Sequence, residues 1–90
     1  PAENYRLFKD IAENGTVFSE FKIRTIPAAH NFPARNRVIA GMSCGTIVIE
    51  AAERSGSLIT ARLALEYDRE VFAVPGSIFS PKSRGTHALI

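Results

Sequence analysis

The chain has 90 residues, 46% of them hydrophobic and 22% charged, which is the composition of one small globular domain or of part of a larger one. No apolar run approaches the ~20 residues that span a bilayer, and the first residues lack the basic and apolar regions of a secretion signal. The single cysteine, Cys44, excludes an internal disulfide and suits a reducing cytosol, and the two histidines offer no metal-ligand spacing. We therefore expect a cytoplasmic protein with no metal and no other cofactor.

The first third of the chain predicts a helix, a strand and a long loop. Apolar residues at helical spacing predict an amphipathic helix over 3–14, which Gly15 ends. The β-branched and aromatic residues that follow predict a strand over 16–21. Residues 22–32 show no period, so we expect a long irregular connection of the kind that often carries function.

The middle of the chain predicts a helix and then a buried strand. Asn31 is a suitable N-cap and Pro33 a suitable early helical residue for a helix that ends near Met42. The near-continuous apolar run over 46–51 is typical of a strand that is buried on both faces of a parallel sheet.

The last third predicts another helix, another strand and the start of a further helix. Ser55 or Ser57 is expected to cap a helix that runs to about Tyr67. A third apolar strand covers 71–74, and residues 86–90 have the character of a helix start. The order αβαβαβ favours a parallel α/β sheet with right-handed crossovers.

Positive charge is concentrated in two segments, although the net charge of the chain is only +2. Residues 22–37 hold four basic residues and no acid, and 71–90 hold two basic residues and no acid, while the two remaining parts are each net −2. Ligands of open parallel sheets bind beyond the carboxyl ends of the strands. The segments that leave those ends are 22–32, 52–57 and 75–85, so we expect a cationic functional edge.

Arg35 and Arg37 are the first candidate binding residues. If they lie in the first turn of their helix, the positive end of the dipole, free backbone N–H groups and two guanidinium groups form an anion site. Phe32 would offer a flat face to a base, and Asn36 a hydrogen bond. Alternatively, both arginines pair with surface acids and Phe32 packs as a hydrophobic staple.

The turn Ser55-Gly56-Ser57 is the second candidate. A glycine-containing turn between a buried strand and a helix N-terminus presents N–H groups to an anion, and the hydroxyls add donors. The alternative is a simple helix cap. The chain has neither the dinucleotide-binding nor the P-loop glycine motif.

Other residues with chemical potential have simpler interpretations. Glu50 lies near the end of the central strand without a second carboxylate or histidine nearby in sequence, which favours a structural role. Cys44 is most simply a small turn residue without a placed base. His30 and His87 stand alone and favour solvated or contact positions over ligation.

Four motifs in register resemble one family, DNA-processing protein A (DprA, also called Smf). Residues 32–43 resemble its F-P-x-R-N-R-I-I-A-G-L-S motif, and residues 48–61 resemble V-V-E-A followed by S-G-S-L-x-T-A. Residues 69–77 resemble R-E-V-F-A-V-P-G-S, and residues 85–90 resemble G-x-N-x-L-I. The start of the chain is similar to the family's Y-P-x-E-N segment after its tyrosine, so the resemblance covers essentially all 90 residues.

The resemblance implies a partial extended Rossmann fold, a parallel three-layer Rossmann-like sheet, in which residues 1–90 are the carboxyl-terminal portion of a single DNA-binding domain. It implies a cytoplasmic, non-enzymatic protein of natural transformation and recombination that binds single-stranded DNA, forms homodimers and helps load the RecA recombinase. By matching positions, the DNA pocket would be lined by Phe32, Arg35, Asn36, Arg37, Ser55, Gly56 and Ser57. The arginines would neutralise phosphates, Phe32 would stack on a base, Asn36 would bond a base or fix the loop, and the serine turn would bind phosphate.

The chain also departs from the family. The family's glycine-serine-arginine turn and its S-G-G-A-x-G-I-D segment, which belong to the DNA pocket, are not among the 90 residues. Asp68 stands where glycine is usual, which we expect to alter only a turn, and His87 stands where asparagine is usual. With the preceding strands absent, we expect an exposed apolar strand edge that is either covered by a second copy or left open to unwanted association.

Two other functions compete with DNA binding. One is a Rossmann-like nucleotide or phosphoribosyl hydrolase with Glu50 as its catalytic carboxylate, although Ser55–Thr60 replaces the P-G-G-x-G-T turn of that group. The other is an oligomerisation or RecA-docking fragment without DNA binding, because a truncated sheet exposes apolar edges.

Overall fold

A computed structural model describes all residues from 1 to 90 and shows a parallel sheet with helices packed on one face. In chain order the elements are α1 (Tyr5–Asn14), α2 (Asn31–Met42), β1 (Gly45–Val48), α3 (Gly56–Glu66), β2 (Glu70–Ala73) and α4 (Arg84–Leu89). Short 3₁₀ turns at Ala2–Asn4 and Pro81–Ser83 precede α1 and α4. The parallel α/β class is confirmed. None of the helices is both long and apolar enough to cross a membrane.

The sheet consists of β1 and β2, and helix α3 connects them. The strands pair in parallel with Gly45 opposite Glu70 and Val48 opposite Ala73, and Val74 N–H donates to the Val48 carbonyl at 2.9 Å. Two parallel strands need such a crossover, and α3 supplies it. The core forms where α3 and α4 meet the sheet, and its members are Val48, Ala51 and Ala61, with Leu58, Val71 and Leu89 packed against them.

Helices α2 and α3 pack against each other along small residues. Ala40 on α2 and Ala61 and Ala64 on α3 are fully buried. Small side chains let two helix backbones approach closely, so this pair forms a firm layer on one face of the sheet. Arg69 strengthens the layer because its Nη2 donates to the Gly41 carbonyl at the end of α2, at 3.1 Å.

The predicted strand over 16–21 is wrong. These residues follow α1 without regular secondary structure, and no strand of the sheet pairs with them. Their only hydrogen bond to a nearby residue joins Phe21 N–H to the Ser19 hydroxyl at 3.1 Å. A strand is stabilised by its ladder and by packing against neighbours, so β-propensity alone does not make one. The element order is therefore ααβαβα with two strands rather than three.

Burial of the strand over 46–51 on both faces is also wrong. Strand β1 is shorter than predicted, and its side chains alternate between a covered and an open face. Ile47 and Phe72 are neighbours in the register and are 66% and 55% exposed, whereas Val48 on the covered face is 3% exposed. Helices cover only one face, and each strand of this two-stranded sheet has one unpaired edge.

The start of α2 and the end of α3 account for the residues found at these positions. Asn31 is not the N-cap of α2, because His30 occupies that position and Pro33 is the third helical residue. At the end of α3, Asp68 has a φ of 56°. Asp68 N–H donates to Leu65 O at 3.1 Å and Arg69 N–H to Ala64 O at 2.9 Å, which is the Schellman arrangement. This left-handed position is why glycine is usual there, and Asp68 changes only the turn.

Candidate functional site

The amino ends of α2 and α3 lie at the same edge of the sheet, the edge where both strands end. Helix α3 begins after the carboxyl end of β1, and α2 finishes just before β1 begins. The two helices also meet at their carboxyl ends, because Arg69 bonds the Gly41 carbonyl and a Cβ on Gly41 would lie 3.8 Å from the Tyr67 ring. The Arg35 region and the serine turn therefore belong to one edge, which we call the carboxyl edge.

A groove of about 880 Å³ lies between α2 and the irregular segment before it. Its walls are mainly apolar, with basic side chains among them. Phe18, Phe21, Ile23, Ile26, Phe32 and Met42 supply apolar surface, Lys22, Arg24 and Arg35 supply positive charge, and Glu20 is the one acid on its walls. Apolar walls with a few polar groups are typical of ligand sites.

Two predicted residues, Phe32 and Arg35, line this groove. Phe32 is 56% exposed, so its ring is available to a ligand rather than packed as a staple. Arg35 has no acidic partner within ion-pair distance, and its Nε donates to the Asn36 side-chain oxygen at 3.2 Å. Asn36 is half-buried and orients the Arg35 guanidinium. Arg35 therefore presents an uncompensated positive charge at the groove.

Arg37 has a different environment. Its Nη2 forms an ion pair with Glu20, and both side chains are about half exposed at 52% and 47%. This pairing is the alternative that the sequence left open for the two arginines, and it applies to Arg37 alone. An exposed ion pair contributes about 0–1 kcal/mol, so it competes weakly with a phosphate.

The backbone at the start of α2 is not the anion site that the sequence suggested. Asn31 N–H donates to Ala28 O at 3.0 Å and Phe32 N–H donates to Ala29 O at 3.3 Å. Pro33 has no N–H. The first N–H groups of α2 are therefore already hydrogen-bonded to the preceding loop. Both arginines lie beyond the first turn of the helix. Anion binding here depends on guanidinium groups rather than on the helix end.

The serine turn, in contrast, forms the cap that the sequence predicted. Ser55 is the N-cap of α3, and its hydroxyl accepts from Ser57 N–H at 3.4 Å. The Ser55 and Ser57 hydroxyls lie 2.8 Å apart. A Cβ on Gly56 would meet no atom within 4 Å, so the turn opens onto free space. Hydroxyls and the first amide of the helix can therefore face an anion.

A third segment reaches this turn from the far end of the chain. Ala51 N–H donates to Lys82 O at 2.7 Å, and Gly85 N–H donates to Ala51 O at 2.8 Å. These two bonds seat Lys82 beside Ser55 in an open depression of about 400 Å³. Glu50 and Arg54 also line this depression, and the Glu50 carboxylate lies 3.7 Å from Lys82 Nζ.

The remaining candidates have ordinary environments. Cys44 is exposed. His30 caps α2 without a side-chain hydrogen bond. His87 Nε2 accepts from Gly76 N–H at 3.1 Å and ties the turn after β2 to α4. No group of three or more histidine, cysteine, aspartate or glutamate side chains is arranged to hold a metal ion.

The structure thus places the seven predicted residues on α2 and at the start of α3, and only three of them line the two depressions. Phe32 and Arg35 line the groove and Ser55 lines the open depression. Sequence reasoning missed Glu20 as the partner of Arg37 and Lys82 as the neighbour of Ser55. Glu20 is the only acid between Glu13 and Glu50, which is a signal in the sequence. The position of Lys82 depends on two backbone hydrogen bonds between residues far apart in the chain, so no signal in the sequence indicated it.

A parallel α/β fold with a cationic carboxyl edge defines a Rossmann-like protein that is suited to anionic ligands. The family model for DNA recombination-mediator protein A matches residues 1–90. The chain therefore belongs to the DNA recombination-mediator protein A family, as the four motifs indicated.

The chain is similar to several curated proteins over its whole length. It is 54% identical over 91 residues to protein Smf of Escherichia coli (strain K12), covering 100% of this chain and 24% of that protein. It is 50% identical over 90 residues to the DNA processing protein DprA of Bacillus subtilis (strain 168), covering 100% of this chain and 30% of that protein. The chain spans about a quarter to a third of the length of these relatives.

Two solved structures share the fold. DNA processing protein A (DprA) from Streptococcus pneumoniae superposes with a TM-score of 0.91 at 49% identity, over 99% of this chain and 31% of that one. A DNA processing protein A from Helicobacter pylori, described for its single-stranded DNA binding mode, superposes with a TM-score of 0.87 at 35% identity, over 99% of this chain and 40% of that one.

Proposed function

We propose that the chain is part of a single-stranded DNA-binding protein that acts in DNA uptake and recombination. The observation that carries this proposal is the groove at the carboxyl edge, where the exposed Phe32 ring lies beside the unpaired Arg35 guanidinium. Proteins that bind single strands combine cationic grooves with aromatic faces on which bases stack. The Helicobacter pylori relative, described for its single-stranded DNA binding, supports the same ligand.

Different residues contact the bases and the phosphate backbone of the DNA. Arg35 and Arg37 neutralise phosphates, Phe32 stacks on a base, and Asn36 holds Arg35 in place. Ser55, Gly56 and Ser57 bind phosphate through hydroxyl and N–H groups. Arg37 exchanges the Glu20 carboxylate for a phosphate, and the exchange costs little because the pair is half exposed.

The proposal extends to the setting and partners of the protein. We propose a cytoplasmic protein of natural transformation that helps load RecA on incoming DNA, with residues 1–90 as the carboxyl-terminal part of its Rossmann-like domain. We also propose a homodimer. The open sheet face carries Ile47, Ile49 and Phe72, which are 66%, 69% and 55% exposed, and apolar surface of this kind favours a second copy.

A binding role is better supported than the hydrolase alternative. Glu50 would be the catalytic carboxylate, but its side chain is 66% exposed and faces Lys82. General acids and bases are usually tuned by burial or by a partner carboxylate or histidine, whereas Glu50 is exposed and the other titratable groups that line its depression are the cations Arg54 and Lys82. Nucleotide hydrolysis that disappears in Glu50→Gln would favour the enzyme instead.

The experiment is fluorescence anisotropy with labelled oligo-dT and a matching duplex over a salt series. We expect the chain to prefer the single strand and its log affinity to fall as log salt rises. The Arg35→Ala/Arg37→Ala variant should reduce the steepness of that slope by up to about 1.4, because each phosphate contact on a single strand contributes about 0.7.

The matched control is Arg6→Ala/Arg62→Ala. It removes the same charge from exposed positions on α1 and α3 that have no ion-pair partner. It should keep the wild-type slope. Equal slopes for the two double variants would show that Arg35 and Arg37 do not contact the phosphates.

A further inference from the structure

The turn that follows β2 exposes two large apolar side chains on an ordered backbone. Ile78 is 76% exposed and Phe79 is 89% exposed. Phe79 N–H donates to the Ser77 hydroxyl at 3.2 Å and Ser80 N–H donates to Ser77 O at 3.0 Å. The His87 bond to Gly76 N–H, at 3.1 Å, anchors the start of the same turn. A phenylalanine held out by a bonded turn is available to a partner.

Two exposed basic side chains follow this turn. Lys82 and Arg84 follow it in the chain, with side chains 72% and 62% exposed. Their nearest carboxylates, on Glu50 and Glu53, lie at 3.7 Å, which is long for an ion pair. Exposed pairs at that distance contribute little, so a phosphate can replace either carboxylate.

This basic segment is continuous with the serine turn. Lys82 is fixed beside Ser55 by the 2.7 Å bond between Ala51 N–H and Lys82 O. The open depression of about 400 Å³ has Arg54, Ser55 and Lys82 on its walls, and Arg54 has no ion-pair partner. Two cations, the Glu50 carboxylate and a hydroxyl therefore line one depression, and Lys82 closely follows the exposed phenylalanine turn in the chain.

We propose that the turn after β2 is a second base-binding part of the DNA interface, in which Phe79 stacks on a base while Lys82 and Arg54 hold the adjoining phosphate beside Ser55. The inference rests on the proposed function and extends that interface from α2 across the whole carboxyl edge. An exposed ring needs an unstacked base, so this part of the interface selects the single strand over the duplex.

The first test uses fluorescence, because the chain contains no tryptophan. In Phe79→Trp the new indole is the only one, and stacking on a base should quench its emission when oligo-dT is added. An abasic oligomer of the same length supplies the phosphates without bases and should leave the emission unchanged. Ile78→Trp places the indole one residue away and serves as the matched control, which should show little quenching.

The second test separates stacking from phosphate binding. Phe79→Ala should weaken oligo-dT binding by about 5-fold to 150-fold, the range expected for one lost base stack, and leave binding of the abasic oligomer unchanged. Phe79→Leu should lose as much, because it keeps the apolar surface without the ring. Lys82→Ala should weaken binding of both oligomers and reduce the steepness of the salt slope by about 0.7.

The outcomes distinguish this inference from the function on which it rests. If wild type binds oligo-dT and Arg35→Ala/Arg37→Ala weakens it, but Phe79→Ala and Phe79→Leu bind as wild type does, then the second part of the interface does not exist. If Phe79→Leu keeps the wild-type affinity while Phe79→Ala loses it, Phe79 makes a simple apolar contact with the DNA and does not stack on a base. If wild type binds no oligo-dT at any salt concentration, the proposed function fails, and this inference fails with it.

Discussion

The two parts of the chain on either side of residue 40 differ in how they are held. Residues 1–39 contain no buried side chain, whereas the eight buried residues all lie between Ala40 and Thr86. In the second part, the sheet, the helices α3 and α4 and the bonds around Ala51 hold the serine turn and the segment of Lys82 together. In the first part, Tyr5, Leu7 and Phe8 of α1 are at least half exposed, and the only ion pair joins Glu20 to Arg37.

Because of this difference, we expect the second part to act as a rigid scaffold and the first part to adjust its conformation when a ligand binds. The second part positions Ser55 and Lys82 with backbone bonds that resist displacement. The first part supplies the outer wall of the groove, and its local bonds, such as Thr25 N–H to Lys22 O at 3.0 Å, do not tie it to the sheet. Ligand-binding segments are often drawn from the least stable parts of a fold, so we expect the groove to adapt and the serine turn to stay fixed.

The largest expected effect tests the packed part at Gly85. A Cβ there would lie 2.7 Å from Ala51 O and 2.8 Å from Ala52 O, which is too close for any side chain. Gly85→Val should therefore lower the free energy of unfolding by about 1–3 kcal/mol, as overpacking does. Urea unfolding followed by circular dichroism measures this.

The control for that variant is Gly56→Ala, whose Cβ would meet no atom within 4 Å. It should not destabilise the protein, because alanine is a better helix former than glycine. A stable Gly85→Val would mean that the contact between residues 51 and 85 is not part of the scaffold.

A smaller effect compares the two residues with left-handed backbone, one in each part. Asp68 has a φ of 56° and Arg24 has a φ of 67°. Asp68→Gly should stabilise the protein by about 0.5–1 kcal/mol, because glycine adopts this conformation without steric cost. Arg24→Gly relieves the same strain in a segment outside the packed unit and should not change the midpoint of unfolding. Equal stabilisation in both variants would show that the two parts unfold together.

The smallest effect on stability is expected at Glu20. Glu20→Gln removes the ion pair to Arg37 and should change the free energy of unfolding by less than about 0.5 kcal/mol. Amide hydrogen exchange over residues 16–27 should nevertheless become faster, because this pair is the main polar link between the segment and α2. Glu13→Gln changes the net charge equally on α1 and should leave exchange unaltered. Unchanged exchange in Glu20→Gln would mean that apolar contacts along the groove hold the segment.

Local patterns predicted most helices and part of the site. The Ser55 cap, the end of α3 near Tyr67 and the start of the α2 region depend on residues close together in sequence, so they were readable. Charge counting also located the cationic segment that contains Arg35. The four motifs then identified the family, which the match over residues 1–90 confirms.

Predictions that depended on distant partners failed or were incomplete. Residues 16–21 have the composition of a strand but no ladder partner, and Ile47 has the composition of a core residue but no covering layer. The first backbone N–H groups of α2, which were expected to bind an anion, instead donate to carbonyl groups of the preceding turn at residues 28 and 29.

The sequence by itself determined the approximate helices, the Ser55 cap, the parallel α/β class and the concentration of positive charge between residues 22 and 37. These features follow from spacing over a few residues and from composition. Only the tertiary structure decided that Arg37 is paired while Arg35 is free, and that Lys82 lies beside Ser55. Those outcomes depend on contacts between residues 17 to 31 positions apart, and short-range patterns do not encode which distant groups meet.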